Sequence, residues 1–127
     1  MKQEYKELLL KDLCGRLPYN VAIDCRDEDS RFTCYLTTDI LNEIQNNTYH
    51  WEYKPYLFPL STLTEELKTF IRWKLTLPFY ETFDEESLED LLNNNIQVVN
   101  FCYENHIDIN GLIEKGLAID ATGKNIY

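Results

Sequence analysis

Cys102 and His106 stand four residues apart in a segment whose apolar spacing predicts a helix, so one helical face would carry both a thiol and an imidazole. That pairing suits a thiolate–imidazolium nucleophile, in which the ring takes the thiol proton, or two ligands of a metal. A structural explanation stands beside it. Cys102 continues the apolar stripe, and a His at a helix C-terminus is favoured by the dipole. No cysteine-hydrolase signature surrounds the pair. A core thiol beside a capping imidazole is therefore the expectation, with a small enzyme using Cys102 and His106 as an alternative.

Asp24, Asp27, Glu28 and Asp29 place four carboxylates close together, and hard cations such as calcium take clustered oxygen ligands. The EF-hand pattern fails, lacking Gly at the sixth position and Glu at the twelfth. A solvated hairpin tip is expected instead, its acids discouraging edge-to-edge pairing. A denser group lies at 81–90, with Glu81, Asp84, Glu85, Glu86, Glu89 and Asp90. Five of these fall in or at the first turns of an expected helix, where the macrodipole favours negative charge. The same cluster offers a docking face for a basic surface, with Glu85, Glu86, Glu89 and Asp90 as contact candidates. Tyr49, Trp51, Tyr53, Tyr56 and Phe58 form the richest aromatic stretch. On a strand, half should enter the core and half can anchor a protein contact, so Trp51, Tyr53 and Tyr56 join the candidates. Base stacking would need flanking positive charge, and only Lys54 supplies it.

The four cysteines, Cys14, Cys25, Cys34 and Cys102, contain no C-x-x-C pair. No zinc site is expected, and the thiols read as small buried hydrophobes. Without a secretory signal, disulfides are not expected. There is no G-x-G-x-x-G, Walker A, H-E-x-x-H or G-x-S-x-G. Four glycines cannot assemble a local phosphate cradle, and two histidines leave little scope for imidazole acid–base chemistry. No catalytic residue, metal or cofactor is assigned.

These residues must be positioned by a small set of elements. Residues 3–16 predict a helix from Tyr5, Leu8, Leu9, Leu13 and Leu17, punctuated by Gly15 and Pro18. Residues 20–25 and 31–37 predict a hairpin across the polar loop 26–30. Residues 38–46 predict a short helix capped by Thr38 or Asp39, with Ile40, Leu41 and Ile44 inward. Residues 49–58 predict a strand whose later part Pro55 and Pro59 should confine to an edge or an exit. A further helix is expected after Ser61 or Thr62, where Thr62-x-x-Glu65 fits a capping box, ending before Pro78. The longest helix is expected from Asp84 to about Asn105, burying Leu88, Leu91, Leu92, Ile96, Val99, Cys102 and Tyr103. Gly116 should end a helical turn at 112–115 with Leu117 set against Leu112. Residues 117–120 read as a last short strand.

The 127-residue, 15.1 kDa chain is the length of one domain, long enough to bury about two-thirds of its surface. Its 44% hydrophobic content excludes a disordered tail or a low-complexity linker. No apolar run approaches the ~20 residues of a membrane span, and the first residues open no signal peptide, so a cytoplasmic protein is expected. The formal charge is −10, with 10 acids against 7 bases in residues 1–63 and 12 against 5 in 64–127. A surface this negative repels phosphate backbones and suits a basic protein partner.

Three stretches, 10–19 (LKDLCGRLPY), 54–61 (KPYLFPLS) and 106–118 (HIDINGLIEKGLA), resemble a family of small proteins from gut bacteria and their phages or mobile elements. The match covers about a third of the chain. It departs at Thr62-Leu63-Thr64, where family members continue as Ser-Met-Thr. The resemblance implies a cytoplasmic, accessory-gene context and carries no activity and no functional residue.

The reading is one α+β domain over residues 1–127: an N-terminal helix, a small antiparallel sheet from about 20 to 58, and two later helices packed on it. Its expected function is non-enzymatic binding of another protein as an accessory or modulator, with no direct nucleic-acid or membrane contact. An inhibitor that mimics nucleic acid in the groove of a DNA- or RNA-binding protein is a second alternative.

Overall fold

The computed structural model describes residues 2–46, 52–62 and 96–127. The fold is α+β. Helix α1 (Gln3–Arg16) buries Leu9 and Leu13, with Tyr5, Leu8 and Leu17 partly covered. Gly15 does not end it. The helix runs on to Arg16 and then tightens into a 3₁₀ turn, Leu17–Tyr19, whose first turn carries Pro18. Gly15 serves a contact instead: a Cβ at this position would lie 2.8 Å from Tyr103 Cδ2. Asn20, at φ 54°, then turns the chain into the sheet.

Strands β1 (Ala22–Arg26) and β2 (Arg31–Tyr35) form the expected hairpin, pairing Ala22 with Tyr35 and Arg26 with Arg31. Asp27 builds the loop: its carboxylate accepts the N–H groups of Asp29 (2.8 Å) and Ser30 (2.6 Å). Helix α2 (Thr38–Asn46) buries Ile40 and Ile44, as the spacing predicts. Its cap is Thr37, one residue earlier than expected, whose hydroxyl accepts the Ile40 N–H at 3.3 Å.

Strand β3 (Glu52–Pro59) corrects the sequence reading. Its later part is no edge: the pairing path runs β2-β1-β3-β4, and β5 also pairs with β3. Here β4 is Ile107–Asp108 and β5 is Ile119–Asp120. Antiparallel ladders alternate their bonded pairs, and the Leu36 N–H bonded to the Val21 carbonyl sets the phase in β1. That phase turns Asp24 toward Lys54, so the nitrogen of Pro55 faces away from β1 and the ladder loses no donor. Leu57 then accepts from the Ala121 N–H while the Phe58 N–H donates to the His106 carbonyl. Neighbouring residues of a strand present their backbone groups to opposite sides, so β5 and β4 flank β3. Both pair parallel with it, which makes the sheet mixed rather than antiparallel.

Helix α3 (Ile96–Glu104) buries Val98, Cys102 and Tyr103. Ile96, expected inward, is 69% exposed, and Val99 is half-buried. With Val98 facing the core, Ile96 lies about 200° round the helix, on the outer side. The expected start of this helix at Asp84, and the helix expected from Ser61 or Thr62, lie outside the described residues. After β4, the Asp108 carboxylate accepts the N–H groups of Leu112 (2.9 Å) and Ile113 (3.0 Å) and starts the turn that Gly116 ends. Gly116, at φ +74°, gives the bonds of a Schellman ending, Leu117 N–H to Leu112 carbonyl and Gly116 N–H to Ile113 carbonyl.

Both faces of the sheet are covered. One, through Ile23, Cys25, Tyr53 and Leu57, joins Leu9, Leu13, Ile40, Ile44, Leu112 and Leu117 in the main core. The other carries Ala22, Tyr56 and Ala121, with Phe58, Ile119 and Ile126 packed against them. Among the described residues no helix is long and apolar enough to cross a membrane.

Candidate binding edge and tyrosine cleft

Two of the expected contact residues, Tyr53 and Tyr56, lie among the described residues, on β3. Tyr53 and Tyr56, read as contact candidates, are buried at 8% and 5% exposure. Each hydroxyl has a carboxylate partner: Tyr53 donates to Glu43, and Tyr56 to Asp24 at 3.3 Å. They are core residues with satisfied polar ends. Trp51, Glu85, Glu86, Glu89 and Asp90 lie outside the described residues.

Cys102 is fully buried, and burial pushes its thiol up to about 11, away from the thiolate a nucleophile needs. His106 has already left the helix at φ +60°. Its ring lies against Tyr127, with centroids 3.7 Å apart and planes 9° from parallel. Burial, helped by the nearby Arg16 guanidinium, lowers its pKa to about 4. The imidazole is therefore neutral at pH 7 and a weak base. The His106 carbonyl works in the sheet while Nδ1 is buried with no hydrogen-bond partner among the described residues.

The acids of the hairpin have structural work. Asp24, 2% exposed, is paired by Arg31 at 2.7 Å and approached by Arg26 at 3.8 Å, and Asp27 holds the loop. Among the described residues no group of three or more His, Cys, Asp or Glu side chains is arranged to hold a metal ion.

Residues that sequence reasoning did not single out make up the strongest surface feature among the described residues. Among the described strands β2 lies at the edge, and all its residues but half-buried Cys34 are exposed. Phe32 is 47% and Tyr35 61% exposed, on opposite faces of the strand. The phase set by Leu36 with Val21, and by the Asp27 N–H to the Ser30 carbonyl, makes Phe32 and Cys34 the residues bonded to β1. Arg31, Thr33 and Tyr35 consequently point their N–H and C=O groups outward, and no described strand takes them up.

At the Tyr35 end this edge opens into a cleft of about 590 Å³, lined by Tyr19, Asn20, Tyr35, His106, Ile126 and Tyr127. Two of the lining residues sit in left-handed backbone conformation, Asn20 at φ 54° and His106 at φ 60°. Tyr127 is fastened through its hydroxyl, which accepts the Ala22 N–H (2.9 Å) and donates to the Tyr56 carbonyl (2.7 Å). Burial of that hydroxyl raises its pKa to about 12, leaving it a neutral bridge between strands. Behind the wall, the fully buried Arg16 pairs with Asp12 (2.5 Å), donates to the Ile107 carbonyl (2.7 Å) and stacks on Tyr103. The cleft offers phenol rings, a neutral imidazole and an amide.

No protein-family model, no curated protein and no solved structure matches this chain.

Proposed function

We propose that this protein is a non-enzymatic module that binds another protein by taking an extended segment of it along the outer edge of β2. The observation that carries this reading is the row of backbone groups at Arg31, Thr33 and Tyr35 that no described strand takes up, with Tyr35 61% exposed. Strand addition draws affinity from main-chain hydrogen bonds and specificity from alternate side chains. On one face the incoming segment meets Arg31, Thr33 and Tyr35, and on the other Phe32 and Cys34. An acidic side chain opposite Arg31 and apolar ones beside Phe32 and Tyr35 fit that pattern. The tyrosine cleft then receives whatever follows past Tyr35, since Tyr side chains anchor protein contacts without needing charge. Accessory or modulator action and a cytoplasmic setting belong to the same proposal.

Thr33→Pro tests it. Proline at this position removes an outward N–H and no bond to β1, so the hairpin is retained while the docking line is blocked. Capture experiments with wild type and variant in low and high salt should give a partner that survives high salt and is lost with Thr33→Pro. A partner bound equally by both proteins would contradict the edge. A basic partner released by salt and displaced by DNA would favour nucleic-acid mimicry instead.

A further inference from the structure

Cys25 and Cys34 were expected to be independent buried thiols, but the hairpin sets them in contact. They are diagonal neighbours on one face of the β1–β2 ladder, since Cys25 pairs with Phe32 and Cys34 with Ile23. Their sulfurs are 2.9 Å apart. A disulfide needs about 2.05 Å, so the sulfurs have to close by about 0.9 Å. The other two cysteines are differently placed: Cys14 is exposed on α1, Cys102 is fully buried on α3, and neither contacts another sulfur.

We propose that Cys25 and Cys34 are a reversible redox dithiol that a peroxide closes into an intramolecular disulfide across the hairpin. The two sulfurs have unequal roles. Cys34 is half-buried, on the edge strand, and is the one an oxidant reaches. Cys25 is 1% exposed, and burial together with its hydrogen bond to Cys34 pushes its thiol up to about 12, so it stays protonated as the resolving partner. In the first step the Cys34 thiolate attacks a peroxide oxygen. An S–O bond forms, the O–O bond breaks, and the departing hydroxide is protonated to water. In the second step the Cys25 sulfur displaces the hydroxyl of the Cys34 sulfenic acid; the S–S bond forms, the S–O bond breaks, and the Cys25 proton leaves with the hydroxyl as a second water. Two thiols and one hydrogen peroxide thus give one disulfide and two waters, with two electrons passing from sulfur to oxygen. Thiol–disulfide exchange with a reductant reopens the bond.

The test uses the intact chain with hydrogen peroxide, followed by denaturation, alkylation of remaining thiols and mass mapping. The expected result is loss of two of the four alkylatable cysteines, a cross-link between the peptides carrying Cys25 and Cys34, and full recovery with dithiothreitol. In Cys34→Ser the cross-link disappears and Cys25 remains alkylatable. Four alkylated cysteines after peroxide would overturn the proposal. So would a linkage through Cys14 or Cys102, or over-oxidation of Cys34 with Cys25 still a free thiol. The outcome does not depend on whether β2 binds a partner.

Discussion

At the residue scale, His106 has the most informative environment. Its sequence position suggested a capping imidazole or half of a catalytic dyad, and the fold uses it as a neutral, stacked wall. The reason lies in contacts distant in sequence. Tyr127 covers the ring and Arg16, from α1, places positive charge nearby. Neither is inferable from an i, i+4 spacing. The consequence for pH follows from linkage. The folded-state pKa of about 4 lies below the ordinary 6.5, so the unfolded chain takes up the proton first. The stabilising contribution is present in full above pH 6.5 and is lost as pH falls from 6.5 toward 4. His106→Asn keeps a residue that tolerates positive φ and removes the titration. Between pH 6.5 and 4 the wild type should therefore lose more thermal stability than His106→Asn; parallel melting curves across that range would contradict the assignment. Arg16 and Asp12 were equally hidden. Neither was singled out in the sequence, yet both are fully buried, with Arg16 against Tyr103 and Asp12 accepting from Asn110.

At the element scale the sequence was legible wherever a local signal fixed the structure. The helices over 3–16 and 38–46 follow from apolar spacing, and the hairpin from two β-rich runs across a polar loop. The turn at Gly116 was readable to the bond, because a Schellman ending needs both a left-handed residue and the Leu112–Leu117 contact. Gly116→Ala introduces no clash, since nothing lies within 4 Å of the added Cβ, but it forces an L-residue to φ +74°. The cost should be about 1–2 kcal/mol, measured as a shift in the denaturant midpoint with unchanged slope. No change on this substitution would mean that the turn relaxes into another ending. What local signals could not give was the order of strands. Pro55 argued for an edge, and only the phase of the β1 ladder shows that its nitrogen faces away from β1. Parallel pairing of β3 with β4 and β5 joins segments about 50 and 60 residues apart and leaves no mark on either one. The same limit hid the cysteine pair: Cys25 and Cys34 fit no metal or redox spacing, and they meet only because the hairpin register places them on one diagonal.

At the scale of the whole molecule, the sequence carries none of the catalytic motifs sought in it, and the proposed binding rests on a strand edge that no described strand covers. The chain carries a formal charge of −10, yet its open strand edge begins at Arg31 and lies beside Arg26, both about half exposed. Open edges invite association, and proteins commonly blunt them with charge, proline or a cover. Here the described strand carries a single arginine, the nearby acids are confined to the loop, and Tyr35 is 61% exposed. The edge was not foreseen because 31–37 reads only as half of a hairpin; its position depends on the order of the described strands. Residue-resolved amide exchange over residues 31–35, in the isolated protein and with a captured partner, tests this claim most directly. Alone, Phe32 and Cys34 should be protected by β1 while Arg31, Thr33 and Tyr35 exchange freely; with partner bound, the three free amides should become protected. Bound partner that leaves Arg31, Thr33 and Tyr35 exchanging as before would contradict docking along β2.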